Sequence, residues 1–387
     1  MKISEFIKKT AGYVIVAAIA SAVTYYICLD TDPGIGKLAQ LEAVISEYFI
    51  EETDKTTLED GAAAGMVAAT GDRWSFYIPA SEYDNYEDQM ENTYVGIGVT
   101  ITVLEDGTGI EIKKVTPGSG AEEAGLIAGD VITAVDGQEV AAVGVQKAKN
   151  LIRGKENTPV QLSILRNGEA LQLQVFRRAI QLEVATGKML TGNIGLVTIY
   201  NFDERCAQET IAQVETLLEQ GAKGFIFDVR YNSGGYRREL VKVLDHLLPE
   251  GTLFRGVDYQ GKESVYTSDA NCIDLPMAVL INEESYSAAE FFAAALHEYD
   301  WAVTVGNPTV GKGYFQNLVT LSDGSAVSLS MGKYFTPKGV SLVETGGLTP
   351  DILVEVTKEQ KVAILAGTLA AEEDPQIQAA LEHLLNS

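Results

Sequence analysis

Two short segments in the C-terminal half of this 387-residue chain hold the residue types that acyl transfer needs. The first runs Met277-Ala278-Val279-Leu280-Ile281-Asn282-Glu283-Glu284-Ser285-Tyr286-Ser287-Ala288-Ala289-Glu290. Its apolar start predicts a buried strand, its middle a polar turn, and a helix is expected to begin at Ser287 or Ala288. A serine placed there stands where backbone N–H groups point outward and the helix dipole favours negative charge. The plainer alternative is that Ser285 or Ser287 is an N-cap, with Glu290 three residues on closing a capping box. The second segment is Gly306-Asn307-Pro308-Thr309-Val310-Gly311-Lys312-Gly313-Tyr314-Phe315-Gln316. Gly306 to Lys312 has the GxxxxGK spacing of a phosphate loop. Gly313 stands where that loop needs Ser or Thr, and a strand, not a helix, is expected to follow, so a nucleotide site is rejected.

Lys312 is then a candidate base, although a solvated loop lysine explains it as well when it is taken alone. An amine accepts a proton only when neutral. Its ordinary pKa is about 10.4, and lowering that by about three units costs roughly 4 kcal/mol, which Phe or Tyr walls supply by excluding water. On an extended strand Lys312, Tyr314 and Gln316 share one face, which lets Gln316 orient the amine without adding charge. The histidines are His246, His297 and His383. His297 lies ten residues beyond Ser287 on the same expected helix, nearly three turns away, so a Ser-His-Asp triad is not expected.

An alternation of strands and helices carries these segments. Ile194–Tyr200, Gly224–Val229, Met277–Ile281, Ala302–Val305 and Gln316–Leu321 read as strands. Cys206–Gln220, Arg237–Leu248 and Ala288–Tyr299 read as helices. The pattern implies an α/β layer architecture with a largely parallel sheet. Before it, Tyr94 to Arg178 forms a separate unit with a glycine-punctuated strand, a hairpin signal at Glu105-Asp106-Gly107 and alternating strands from Val160 to Val175. Helical periodicity covers Leu38 to Glu52 and roughly Thr57 to Ala69, and returns in the tail from Pro375 to Leu385.

The N-terminus reads as a targeting element. Lys2, Lys8 and Lys9 precede an almost uncharged run from Ala11 to Cys28, near the lower length limit for a membrane helix, with Tyr25-Tyr26 at its far end. An uncleaved signal anchor over 11–28 is preferred to a signal cut after Ala22, and lipidation of Cys28 is not expected. Lysines inside put residues 1–10 in the cytoplasm and the body outside it. Asp plus Glu number 54 against 29 Lys plus Arg, a net charge of −25 that argues against nucleic acid. With no CxxC spacing and no histidine cluster, no metal site and no cofactor are expected. Cys206 and Cys272 are left as two thiols or one pair.

Two resemblances follow from quoted motifs. The Gly96-Ile97-Gly98-Val99 loop together with "AGLIAGDVITAVDG" resembles a PDZ domain, which implies a site for a peptide C-terminal carboxylate at Gly96, Ile97, Gly98 and Val99. The pair "SYSAAE" and "GKGYFQ", 25 positions apart from serine to lysine, resembles the C-terminal processing peptidases, also called tail-specific proteases. That resemblance implies Ser287 as nucleophile, Lys312 as general base and Gln316 as its orienter. "GAAAGMVAATGDRWSFYIPASEY", "FDVRYNSGGY" and "YFTPKGVSLVETGGLTPDI" extend it over nearly the whole chain. Tyr286 and Ala289 depart from the residues often found there.

The expectations are therefore a mixed α/β fold: a PDZ domain (94–178) joined to an α/β serine protease core (179–356). A helical region (29–93), an anchor helix (11–28) and a helical tail (357–387) flank them. The oxyanion hole is expected from the Ala288 N–H with Gly234 or Gly235, and Asp228 and Arg230 are expected to buttress that loop. The resemblance further implies capture of substrate proteins by their C-terminal tails, with Arg153 passing the signal, a body outside a bacterial cell membrane, and a homodimer. The rival expectation is a PDZ scaffold with an inactive or permanently gated protease domain.

Overall fold

The computed structural model describes residues 33–104 and 106–386, together with Ser21. The expected anchor over 11–28 lies, Ser21 aside, outside the described residues. Among the described residues no helix is long and apolar enough to cross a membrane.

The chain divides into two compact units, one of which comprises residues up to Ser81 with Asn317–Ser330. In it the helices Pro33–Tyr48 and Lys55–Ala68 precede a short strand, Phe76–Ile78, paired antiparallel with residues 326–328. Asp54 caps the second helix by accepting from the Thr57 N–H at 2.8 Å. Neither helix has buried residues to speak of, and Leu41, Val44 and Tyr48 are exposed.

The other unit, Glu82–Gln316 with Met331–Ser387, holds two modules. The first opens and closes with a ribbon, Thr93–Gly96 against Arg178–Gln181. Between these strands lies a sheet in the order Val99–Val103, Ile110–Val115, Val131–Val135, Pro159–Arg166, Glu169–Phe176. Ile110, Ile112, Ile132, Leu162 and Ile164 fill its core with alternating side chains, as a sheet covered on one face requires. Val99–Val103 is an edge strand of this sheet, so one of its sides offers backbone groups for an added strand.

The second module is built on a six-stranded sheet in the order Ala185–Met189, Ile194–Ile199, Gly224–Asp228, Met277–Ile281, Ala302–Gly306, Ile352–Leu353. The first pair is antiparallel and the others are parallel. Every residue of Gly224–Asp228 and Met277–Ile281 is buried, because helices cover both faces. Phe225, Phe227, Val279 and Ile281 pack under the helices Cys206–Glu219, Arg237–Leu247 and Ala288–Glu298. Ile226, Ala278, Leu280 and Val305 pack instead against Ile377, Leu381 and Leu384 of the C-terminal helix Pro375–Asn386. Asp374 and Pro375 start that helix in the standard way, with the Asp374 carboxylate accepting from the N–H groups of Gln376 and Ile377.

A second, antiparallel sheet was not expected. Gly251–Asp258 pairs with Glu263–Ser268 on one side and with residues 332–335 on the other. Phe254, Tyr266, Tyr334 and Phe291 join it to the core through ring contacts of 4.7 to 5.6 Å. Cys206 is buried and Cys272 exposed, and both are free thiols.

Candidate active site

Parallel strands that lie side by side deliver their following loops to one edge of the sheet, the usual place for a site in such folds. Here three adjacent strands, 224–228, 277–281 and 302–306, end at the loops Val229–Tyr236, Asn282–Ser287 and Asn307–Gly313. The motifs "FDVRYNSGGY", "SYSAAE" and "GKGYFQ" run through those three loops.

The two serines of the middle loop differ sharply. Ser285 is fully buried, and its hydroxyl donates to the Val229 carbonyl at 2.7 Å and accepts from the Asn282 N–H at 3.0 Å. It ties the serine loop to the loop after Asp228. Ser287 is half-buried, with φ 59° and ψ −123°, a conformation that side-chain-bearing residues rarely adopt. Local strain of this kind persists where the surroundings over-determine it. The strand, sharp turn and helix beginning at Ala288 set Ser287 at the tip of the turn, a geometry that can present a serine hydroxyl for chemistry.

Glu290 does much more than close a cap. Its carboxylate is fully buried and accepts four hydrogen bonds. One oxygen takes the Thr309 hydroxyl at 2.6 Å and the Gly311 N–H at 2.7 Å. The other takes the Lys312 N–H at 2.8 Å and the Ser287 N–H at 3.0 Å. Two residues 25 positions apart thus share one acceptor atom. Burial raises the Glu290 pKa while the four donors pull it back, and the net shift is upward. N3 spacing in the sequence shows the bond to Ser287; the bonds to the lysine loop depend on strand 302–306 lying beside strand 277–281.

Lys312 is half-buried, and its Nζ lies over the Tyr286 ring, 5.5 Å from the centroid. The strand that follows begins at Tyr314, so Lys312 sits in the loop just ahead of it. The lysine loop is shaped by its bonds to Glu290. Gln316 is half-buried, and its amide nitrogen donates to the Tyr314 carbonyl at 3.4 Å.

The glycine loop meets Ser287 directly. A Cβ on Gly234 would lie 2.7 Å from the Ser287 Cβ and 2.9 Å from the Ala288 nitrogen, so no other residue fits without displacing the serine. The Gly234 N–H is already engaged by the Asn232 side chain at 2.8 Å. Gly235 packs on the Asn201–Arg205 turn, with Asp203 Oδ1 2.6 Å from where its Cβ would be. That oxygen is buried and has no hydrogen-bond partner, and burial pushes the Asp203 carboxyl up to about 7. Nothing in the sequence distinguishes Asp203 from a surface aspartate, because the effect arises only from burial.

Beneath the loop, Arg230 joins Asp228 (2.6 and 2.9 Å), Asp374 (2.9 Å) and the Gln376 amide oxygen (2.8 Å). Gln376 continues to Asn307 at 3.1 Å. The expected buttress is therefore a buried network that also fastens the C-terminal helix. His297 lies at the far end of helix Ala288–Glu298, paired with Asp351 at 3.2 Å.

The PDZ-like residues form a separate group. Gly96 lies against the Tyr94 ring, and the Arg153 guanidinium is 5.9 Å from that ring's centroid, at the end of helix Val145–Ile152. Gly98 has φ +80° and touches Ser119, whose hydroxyl donates to the Gly98 carbonyl at 3.4 Å.

The comparisons with known proteins agree with this anatomy. The family model "Peptidase family S41" matches residues 193–354, and "PDZ domain" matches residues 87–165. The carboxy-terminal processing protease CtpA of Bacillus subtilis is 32% identical over 91% of this chain and 78% of its own length. The chain belongs to peptidase family S41. A probable CtpA-like serine protease of Staphylococcus aureus is 27% identical over 94% of the peptidase and 75% of its own length. In fold, the peptidase is similar to a putative S41 protease from Bacteroides fragilis, with a TM-score of 0.54 and 17% identity, covering 90% of this chain and 97% of that one. It is a serine peptidase carrying a PDZ domain, homologous to C-terminal processing proteases.

Proposed function

We propose that this peptidase cleaves proteins through an acyl-enzyme formed by a Ser287–Lys312 dyad. The observation that carries the reading is the single Glu290 oxygen that accepts from both the Ser287 and Lys312 backbones. The neutral Lys312 amine takes the Ser287 hydroxyl proton as Oγ attacks the peptide carbonyl. The resulting ammonium returns a proton to the leaving amine, and water then releases the acyl group. Gln316, four residues on, orients the amine. The developing oxyanion needs two donors about 3 Å away. The Ala288 N–H is one of the first-turn amides that helix geometry leaves without an intrahelical acceptor. Gly235 is the better second donor, since the Gly234 N–H is spent on Asn232.

In this reading the PDZ domain takes a substrate's C-terminal tail as an added strand along Val99–Val103, with the carboxylate at Gly96, Ile97, Gly98 and Val99. Arg153, beside Tyr94 and Gly96, reports that occupancy. Residues 11–28 anchor the chain in a bacterial membrane with the body outside. The exposed Leu41, Val44 and Tyr48 favour a homodimer.

The test is cleavage of an unstructured protein with a free C-terminus by the parent, Ser287→Ala and Lys312→Ala. Both variants are expected to lose turnover by at least about a thousandfold while keeping the parent's thermal transition. Cleavage at the parent's rate by either variant would remove that residue from the mechanism. An inert parent would favour a gated scaffold.

A further inference from the structure

Resting on the dyad reading, we infer that Tyr286 is a positioning residue that holds the Lys312 side chain as an ammonium on its ring face and thereby sets the pH at which the base becomes available. Its backbone is fixed on two sides. The Tyr286 N–H donates to the Asn232 carbonyl at 3.1 Å, and its carbonyl accepts from the Ala289 N–H at 3.3 Å. The space a Gly234 side chain would occupy is closed by the same carbonyl at 2.9 Å. The ring therefore projects from a turn that is not free to rotate, and it covers Nζ at 5.5 Å.

A ring face attracts an ammonium and not a neutral amine, so it favours the protonated base. Charged and titratable groups also stand on the flanks of the lysine loop. Glu290 holds the Lys312 N–H from the nucleophile helix. Beyond Gly313, the Tyr314 ring carries Lys333 at 5.9 Å, and the Tyr334 N–H donates to the Gly313 carbonyl. The Tyr334 hydroxyl accepts from Arg237 at 3.2 Å. Lys333 and Arg237 oppose a charge on Lys312 and Glu290 supports it. The Tyr286 ring lies over Nζ itself. Before it can act, the amine must release its proton to solvent and leave the ring face, so the aromatic contact delays activation as pH rises.

The experiment is the pH profile of kcat/KM for the full chain and its variants on the same unstructured protein. Tyr286→Leu keeps an apolar wall against water but removes the π face. It is expected to move the acidic limb down by about half a pH unit, with cleavage about threefold faster below that limb. Tyr286→Phe keeps the face and leaves the limb in place. A fluorinated phenylalanine at position 286 keeps the shape but drains the face, and should shift the limb as leucine does even if leucine disturbs the fold. An unmoved or upward-shifted limb in both the leucine and the fluorinated variants, beside an inactive Lys312→Ala, overturns the role of Tyr286 alone. A fully active Lys312→Ala removes the dyad and this inference with it.

Discussion

Glu290 and the Asp228–Arg230–Asp374 cluster bury charge at the same edge of the sheet but neutralise it by opposite means. Around Arg230, burial works against the guanidinium charge, yet Asp228 and Asp374 more than offset it, and its pKa is raised. Gln376 and Asn307 extend the cluster into the C-terminal helix. Glu290 is held by dipoles instead: the four hydrogen bonds to its carboxylate come from three backbone N–H groups and one hydroxyl. The ion cluster joins large elements and works as a foundation. The carboxylate joins two loops through single amides, so small changes in it are felt as geometry before they are felt as stability. Charge paired with charge serves the fold, and charge paired with dipoles serves the site.

The widest separation between the two should come from Arg230→Ala. It strands two buried aspartates and is expected to cost about 3–5 kcal/mol in denaturant unfolding, with activity lost only because the fold is. An Arg230→Ala protein that unfolds like the parent but does not cleave would put the arginine in the chemistry and dissolve the distinction. Glu290→Gln is next. Its amide nitrogen must face N–H donors where an oxygen accepted them, so kcat is expected to fall about 10- to 100-fold, KM to change by less than about threefold, and unfolding to shift by only about 1–2 kcal/mol. Loss of stability in proportion to activity would reduce Glu290 to a cap.

Asp203 adds a third kind of burial, with neither ions nor dipoles for one of its oxygens. Its native pKa, about 7 against an ordinary 3.8, means that the folded state holds a proton the unfolded chain has released. Stability therefore falls as pH rises from about 4 to about 7. Asp203→Asn should flatten that slope and raise stability at pH 8 by roughly 1–3 kcal/mol, read from thermal or urea unfolding at several pH values. An unchanged slope would mean that the carboxylate finds a partner in solution. The smallest effect is expected from Arg153→Ala, an exposed residue: under about 0.5 kcal/mol in stability, with a change in cleavage confined to substrates bearing a free C-terminal carboxylate. Equal effects on C-terminally amidated substrates would disconnect Arg153 from tail binding.

The sequence is most readable where burial is complete. Met277–Ile281 and Gly224–Asp228 are covered on both faces and appear as unbroken apolar runs, so their ends, and the loops that follow, could be placed closely. The antiparallel sheet of Gly251–Asp258, Glu263–Ser268 and residues 332–335 was missed because its strands mix exposed polar residues with buried rings and carry a bulge near Thr252. At the site, Ser287 was distinguishable from Ser285 only by resemblance. The structure separates them by a simple criterion: every polar capacity of Ser285 is used in packing. Lys312 stood out by its motif and its spacing from the serine, but the paired strand begins two residues after it, and the amides of Gly311 and Lys312 are bonded to Glu290. Asp203 left no trace in the sequence, because an unpartnered oxygen is a property of surroundings.

One atom of Glu290 holds both the Ser287 and the Lys312 amides, so the two halves of the proposed dyad are tied at a single point in the protein. A device that switches the peptidase on and off by prising those halves apart would have to break a fully buried carboxylate's bonds. The glycine loop is fastened to the serine loop more lightly, through contacts such as Tyr286 N–H to Asn232 and Tyr231 N–H to Asn282. On the dyad reading, the two reacting groups keep their spacing through any movement of the glycine loop, and what that loop can withdraw is the one donor that Gly235 brings to the negative charge.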